Sequence, residues 1–190
     1  ASHFHPDHFN KEVLQWREQR PDIIYIFSKD ILRHRRAQKE DAVWLKKGEE
    51  YKDETLSVRA FGSTDVGVSF LLQAGGKKIF HAGDLNNWHW MDESTEAEWK
   101  GAEKNFLHEL DDLYAYTPEV DVAMFPVDPR LGKEYMRGAG QFVTKIKTHI
   151  FVPMHFTPEY AKANAFRDFA EAHGVRFVSL THRGQKIEIE

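Results

Sequence analysis

The chain has 190 residues, 41% of them hydrophobic, with 26 Lys and Arg against 30 Asp and Glu. That composition suits one domain with its own core, and no run approaches the ~20 apolar residues of a membrane-spanning helix. The formal charge of -4 lacks the basic excess of a dedicated nucleic-acid binder, and the absence of cysteine excludes disulfides and thiolate metal sites.

Residues 1–8 read as a loop, and Val13, Leu14 and Trp16 mark a short helix over 10–19. A β-branched and aromatic run predicts a strand over 22–27, and Ser28 is placed to cap a helix running to about residue 36. The charged stretch 38–54 reads as a solvated connection with a short strand near 43–45. Three strands follow at 56–61, 66–72 and 77–81, the last two joined by the turn Ala74-Gly75-Gly76. Thr95 and Glu98 form a capping-box pattern for a helix carrying Trp99, Phe106, Leu110 and Leu113 on one face. Beyond it the pattern predicts a strand over 120–127, a helix over 133–147, a short strand over 150–153 and a helix over 161–173. Two last strands are expected at 175–180 and 186–189. Strands alternate with helices around a central meander, which is an α/β or α+β arrangement in a single domain.

The opening His3-Phe4-His5-Pro6-Asp7-His8 holds three of the 11 histidines. Side chains two apart on extended chain share a side, so His3 and His5 point together while the following turn directs Asp7 and His8 to a second point. Two such clusters of imidazole and carboxylate describe adjacent metal sites suited to Zn²⁺, Fe or Mn. The bland alternative is a polar terminal loop with chance histidines. Two strand-end motifs argue against chance: His81-Ala82-Gly83-Asp84 and Pro153-Met154-His155-Phe156.

This set of motifs resembles the metallo-β-lactamase superfamily, and HAGD with PMHF resembles its branch of ascorbate-phosphate-lactonase-like and related uncharacterised hydrolases. The resemblance implies an αβ/βα four-layer sandwich with metals at one edge. It implies His3 and His5 in the first metal site, Asp7, His8 and His155 in the second, and Asp84 bridging them. Relatives add a third His to the first site from the region before the Gly-Asp. Here that region, 56–70, has none, leaving Ser63, Asp65 or His81 as substitutes. The first site is therefore expected to bind more weakly and fill second. No counterpart of the family's N-terminal strands precedes the motif, and there is no initiator Met. Upstream sequence is thus expected to be missing, leaving the domain over 1–190 incomplete at its N-terminus.

The implied activity is hydrolysis of a small ester, lactone or phosphoester by a metal-bound hydroxide. One or two divalent ions, Zn²⁺ foremost, would serve it, with Asp7 handling the proton. The alternatives are a nuclease or phosphodiesterase, and a degenerate member that binds metal without catalysis. Trp88, His89 and Trp90 offer a substrate wall, against a surface loop packed on a helix. Arg130, beside Asp128, offers either an anion clamp or a structural ion pair. The expected partner is a small molecule, with neither nucleic acid nor membrane, in the cytoplasm.

Overall fold

The computed structural model describes residues 1–188. Its main sheet has seven strands in chain order: β3 (Glu50–Lys52), β4 (Leu56–Phe61), β5 (Ser69–Ala74), β6 (Lys77–His81), β7 (Glu119–Pro126), β8 (Lys147–Met154) and β9 (Arg176–Phe177). Strands β3 to β6 form an antiparallel meander, closed at one hairpin by Ala74 opposite Lys77. From β6 to β9 every pairing is parallel, so each connection must cross over, and helices fill the crossovers. These are α3 (Glu96–Tyr116), α4 (Arg137–Lys145), and the pair α5 (Tyr160–Asn164) and α6 (Arg167–Ala172). Two short strands, β1 (Ile26–Ser28) and β2 (Val43–Leu45), pair in parallel across α2 (Lys29–Arg33). The α/β class follows from this order.

The core sits between the sheet and its crossover helices. Phe80, Phe125 and Phe151 from three adjacent parallel strands meet Phe106 of α3, Phe142 of α4 and Phe166, all fully buried. Helix α3 presents Phe106, Leu110 and Leu113 to this core, and its expected capping box forms, while Trp99 stays half-exposed at the first turns. A separate cluster of Phe9, Tyr25, Phe27 and Ile31 holds the N-terminal segment together. No helix among the described residues is long and apolar enough to cross a membrane.

Several expected elements are shorter or broken. The segment 10–19 is a 3-10 turn, Lys11–Gln15, followed by one turn of α-helix, α1 (Trp16–Gln19). The run at 22–27 pairs only from Ile26, where β2 supplies a partner. Helix α2 stops at Arg33, followed by His34 and by Arg35 with φ +54°. Strand β5 starts at Ser69 because Val68 donates its N–H to Ser2 O instead. The expected helix 133–147 is split. Gly132, at φ 79° and ψ -145°, breaks a 3-10 stretch (Pro129–Glu134), and α4 begins only at Arg137. Residues 161–173 form two short helices, α5 and α6. Strand β3 was not expected, since Glu50-Tyr51-Lys52 is too charged to read as a strand. The last expected strand is irregular over 186–188, and Ile189 lies outside the described residues.

Candidate metal centre

Parallel strands converge at their C-terminal ends, where open α/β sheets place ligands. The turn after β6 delivers Asp84, the turn after β7 delivers Asp128, and His155 follows β8 directly. The loop 1–8 lies across the same edge, where Ser28 and Val68 donate their N–H groups to the carbonyls of Ala1 and Ser2. Phe4 N–H donates to Asp30 Oδ2 at 3.0 Å, and the Phe4 ring stacks on His34 at 3.7 Å, so α2 grips this loop. Two glycines make the seat possible. Gly67 (φ +75°) lies so close that a Cβ would collide with Ser2 O, and a Cβ on Gly83 (φ +56°) would sit 2.8 Å from Ser2 Cβ.

Asp84 stands at the middle of the cluster and is 4% exposed. His3 Nε2 lies 3.3 Å from its Oδ2, while His8 Nε2 and His155 Nε2 lie 3.1 and 3.4 Å from its Oδ1. His5 Nδ1 is 3.0 Å from His3 Nε2, and Asp7 Oδ2 is 3.6 Å from His8 Nε2. All six residues singled out by the motifs therefore come together. Of the three substitutes considered for the missing His, Asp65 joins His5 and Asp84, with donor atoms within 4.8 Å of one another. His81 instead accepts the Gly83 N–H on Nδ1 and braces the turn.

Two observations fit this cluster to a metal. Although imidazole nitrogens approach it, Asp84 Oδ1 is buried without a partner in hydrogen-bonding geometry. A buried carboxylate oxygen left that way is costly unless something else neutralises it. The donor separations also match. Ligands at ~2.0–2.2 Å from one ion stand about 3–3.6 Å from each other, and the five separations just given run from 3.0 to 3.6 Å. His3, His8 and Asp84 form one such group, and Asp7, His8 and His155 another.

The outer partners set the tautomers. Ser2 Oγ lies 3.1 Å from His3 Nδ1 and 3.2 Å from His8 Nδ1. One hydroxyl oxygen can accept from both rings, which places each ring proton on Nδ1 and frees each Nε2 for the cluster. His155 Nδ1 is held at 3.0 Å by Asp128 Oδ2. Burial works to raise the Asp128 pKa, but hydrogen bonds from His155 and Arg130 outweigh it and bring it to about 2. Burial, then the neighbouring His8 and His5, lowers the His3 pKa to about 3, so its ring is neutral near pH 7. His155 itself has φ +62°, a strained backbone held where the side chain is needed.

Neither Ser2 nor Asp128 stood out in the sequence as a support for histidine rings. Asp128 is visible there only as the strand-end neighbour of Arg130, and Ser2 only as the residue before the motif. Arg130 is engaged with Asp128 through Nε and Nη2, the structural ion pair, yet its side chain remains half-exposed. A cleft of about 360 Å³ opens beside the cluster between Asp7, Asp65, Trp88, Trp90, Arg130 and His155. Trp88 and Trp90 stack with centroids 6.4 Å apart, and Trp88 Nε1 donates to Asp84 O at 2.8 Å. His89 does not share this wall: it is buried and bonds Glu134 O and Met91 N.

No family model and no curated protein sequence matches the chain. Solved structures do. Igni18, a metallo hydrolase from the archaeon Ignicoccus hospitalis, aligns at TM-score 0.62 and 16% identity, over 95% of this chain and 74% of its own. YhfI from Bacillus subtilis, a metallo-β-lactamase fold protein, aligns at TM-score 0.58 and 10% identity, over 93% and 71%. Zn²⁺-bound PqqB from Methylobacterium extorquens aligns at TM-score 0.53 and 16% identity, over 93% and 69%. The chain has the metallo-β-lactamase fold.

Proposed function

We propose that the chain is a metal-dependent hydrolase whose centre is built by His3, His5, Asp7, His8, Asp84 and His155, acting on a small ester, lactone or phosphoester. The observation that carries this reading is the buried Asp84 carboxylate, approached by imidazoles from separate segments of the chain while Oδ1 lacks a hydrogen-bonding partner. Divalent zinc is the ion proposed, and when bound it would supply Lewis-acid activation of water and of the scissile group.

The chain's own residues account for the rest. Asp7, whose side chain is 69% exposed, lies within reach of His8 and lines the cleft, so it can take a proton from a water held there. Arg130 Nη1 has no hydrogen-bond partner among the described residues and can hold an anionic oxygen of the substrate. Trp88 and Trp90 give a flat apolar wall against which a ring or acyl chain can lie. The open cleft suits a small molecule, and among the described residues that line it Arg130 is the one Lys or Arg, short of the basic stripe that favours a nucleic acid.

The test is a hydrolysis screen of the zinc-loaded chain with lactones and aryl esters beside bis-p-nitrophenyl phosphate. Turnover that Asp84→Ala abolishes supports the reading, and the preferred substrate separates lactonase from phosphodiesterase. A chain that binds metal but hydrolyses none of these would be the non-catalytic member instead.

A further inference from the structure

The sequence expectation left the first metal site one imidazole short. The turn between β4 and β5 stands where that imidazole is missing, and it is fixed in place. Thr64 Oγ1 donates to Asn86 O at 2.6 Å and accepts the Asn86 N–H at 2.9 Å. That two-way link fastens the turn to the chain two residues beyond Asp84. The next residue, Asp65, is exposed, and its carboxylate has no hydrogen bond or ion pair among the described residues. It nevertheless faces His5 and Asp84 and shares their cleft. Two carboxylates brought together without an intervening donor repel unless a cation lies between them.

We propose that Asp65 is a metal ligand of the first site and completes a dinuclear centre with matched halves. The first half then holds His3, His5 and Asp65, the second His8, His155 and Asp7, and Asp84 is shared. Each half has two imidazoles, one carboxylate of its own and one in common. The expected weakness of the first site disappears, because the missing imidazole is replaced by a protein donor rather than by water. A centre of four imidazoles and three carboxylates carries one more negative charge than one with five imidazoles and two carboxylates. It is also harder in donor character, so it accepts Mn²⁺ or Fe²⁺ in both halves as well as Zn²⁺. This inference rests on the metal-centre reading above and extends it to the number and kind of ions.

The experiment titrates the metal-free full chain with Mn²⁺ and, separately, with Zn²⁺, reading stoichiometry by elemental analysis and Mn²⁺ by electron paramagnetic resonance. The expected wild-type result is two equivalents of either ion, with a spin-coupled signal when both are Mn²⁺. Asp65→Ala should bind one Mn²⁺ with an uncoupled signal, its second step weakened at least about tenfold. Asp65→His should still take two Zn²⁺ but weaken the second Mn²⁺ step. Thermal melting of the metal-free Asp65→Ala chain should be no lower than that of wild type, because the side chain makes no hydrogen bond or ion pair to lose and its repulsion of Asp84 is relieved. An Asp65→Ala chain that still binds two Mn²⁺ with a coupled signal overturns the proposal, as does a wild-type chain that stops at one equivalent of each ion. A wild-type chain that binds neither ion removes the metal-centre reading itself, and this proposal with it.

Discussion

Asp128 is wholly out of solvent and holds His155 by a hydrogen bond of 3.0 Å from Nδ1, leaving Nε2 facing Asp84 at 3.4 Å. The pair turns a flexible ring at a strand end into an aimed donor. Arg130 completes the arrangement, with Nε 3.0 Å from both carboxylate oxygens. Asp128→Asn keeps the shape and loses the charge that makes His155 a stronger donor. Its expected effect is a 10- to 100-fold loss of metal affinity, about that of other partners of ligating histidines. A chelator competition titration reads it, and unchanged affinity would make Asp128 a purely structural residue.

Ser2 acts on two rings at once. Ser2→Ala leaves both Nδ1 atoms without their acceptor and frees the tautomers of His3 and His8. Metal affinity should fall by at least about tenfold while the metal-free melting temperature changes little, since few other contacts depend on the hydroxyl. Ser2→Thr retains the oxygen and should recover much of the affinity.

Gly67→Ala tests the seat of the motif loop. A Cβ there meets the Ser2 carbonyl on a backbone that already has φ +75°, so the loop must move. Metal binding should be lost or greatly weakened, with a destabilisation of about 1–3 kcal/mol from overpacking and strain. Urea unfolding measures the second effect. Wild-type metal affinity in this variant would show that the loop is not held by that contact.

His81 sets a pH dependence of the metal-free chain. Burial, with a smaller contribution from the neighbouring chain amine, lowers its pKa from 6.5 to about 4. As pH falls below 6.5 the unfolded chain takes up this proton first, so the stability present above pH 6.5 is lost on descent towards pH 4. His81→Asn preserves an acceptor for Gly83 N–H and removes the titration. The expected result is a shallower decline of unfolding free energy over that window, by up to about 1.4 kcal/mol per pH unit. Identical slopes for the two chains would contradict it.

The local sequence determined the donors. Alternation of side chains puts His3 beside His5, and strand ends followed by Gly-Asp or by His mark where a sheet delivers polar groups to its edge. The long helix Glu96–Tyr116 was equally legible, because its capping box and the spacing of Phe106, Leu110 and Leu113 are contacts within one segment. What only the tertiary structure decided are relations across the chain. Ser2 bonds two rings, Asp128 and His155 are 27 residues apart, and Asp65 meets His5 and Asp84 from a turn that Thr64 links to Asn86. Element lengths belonged there too, since β5 could not start at Val66 once Val68 was bonded to Ser2, and Gly132 broke a helix by its own dihedrals. Spacing in a sequence reports which side chains share a face. The distance between faces is set by packing, which here brings three other segments of the chain to one buried carboxylate.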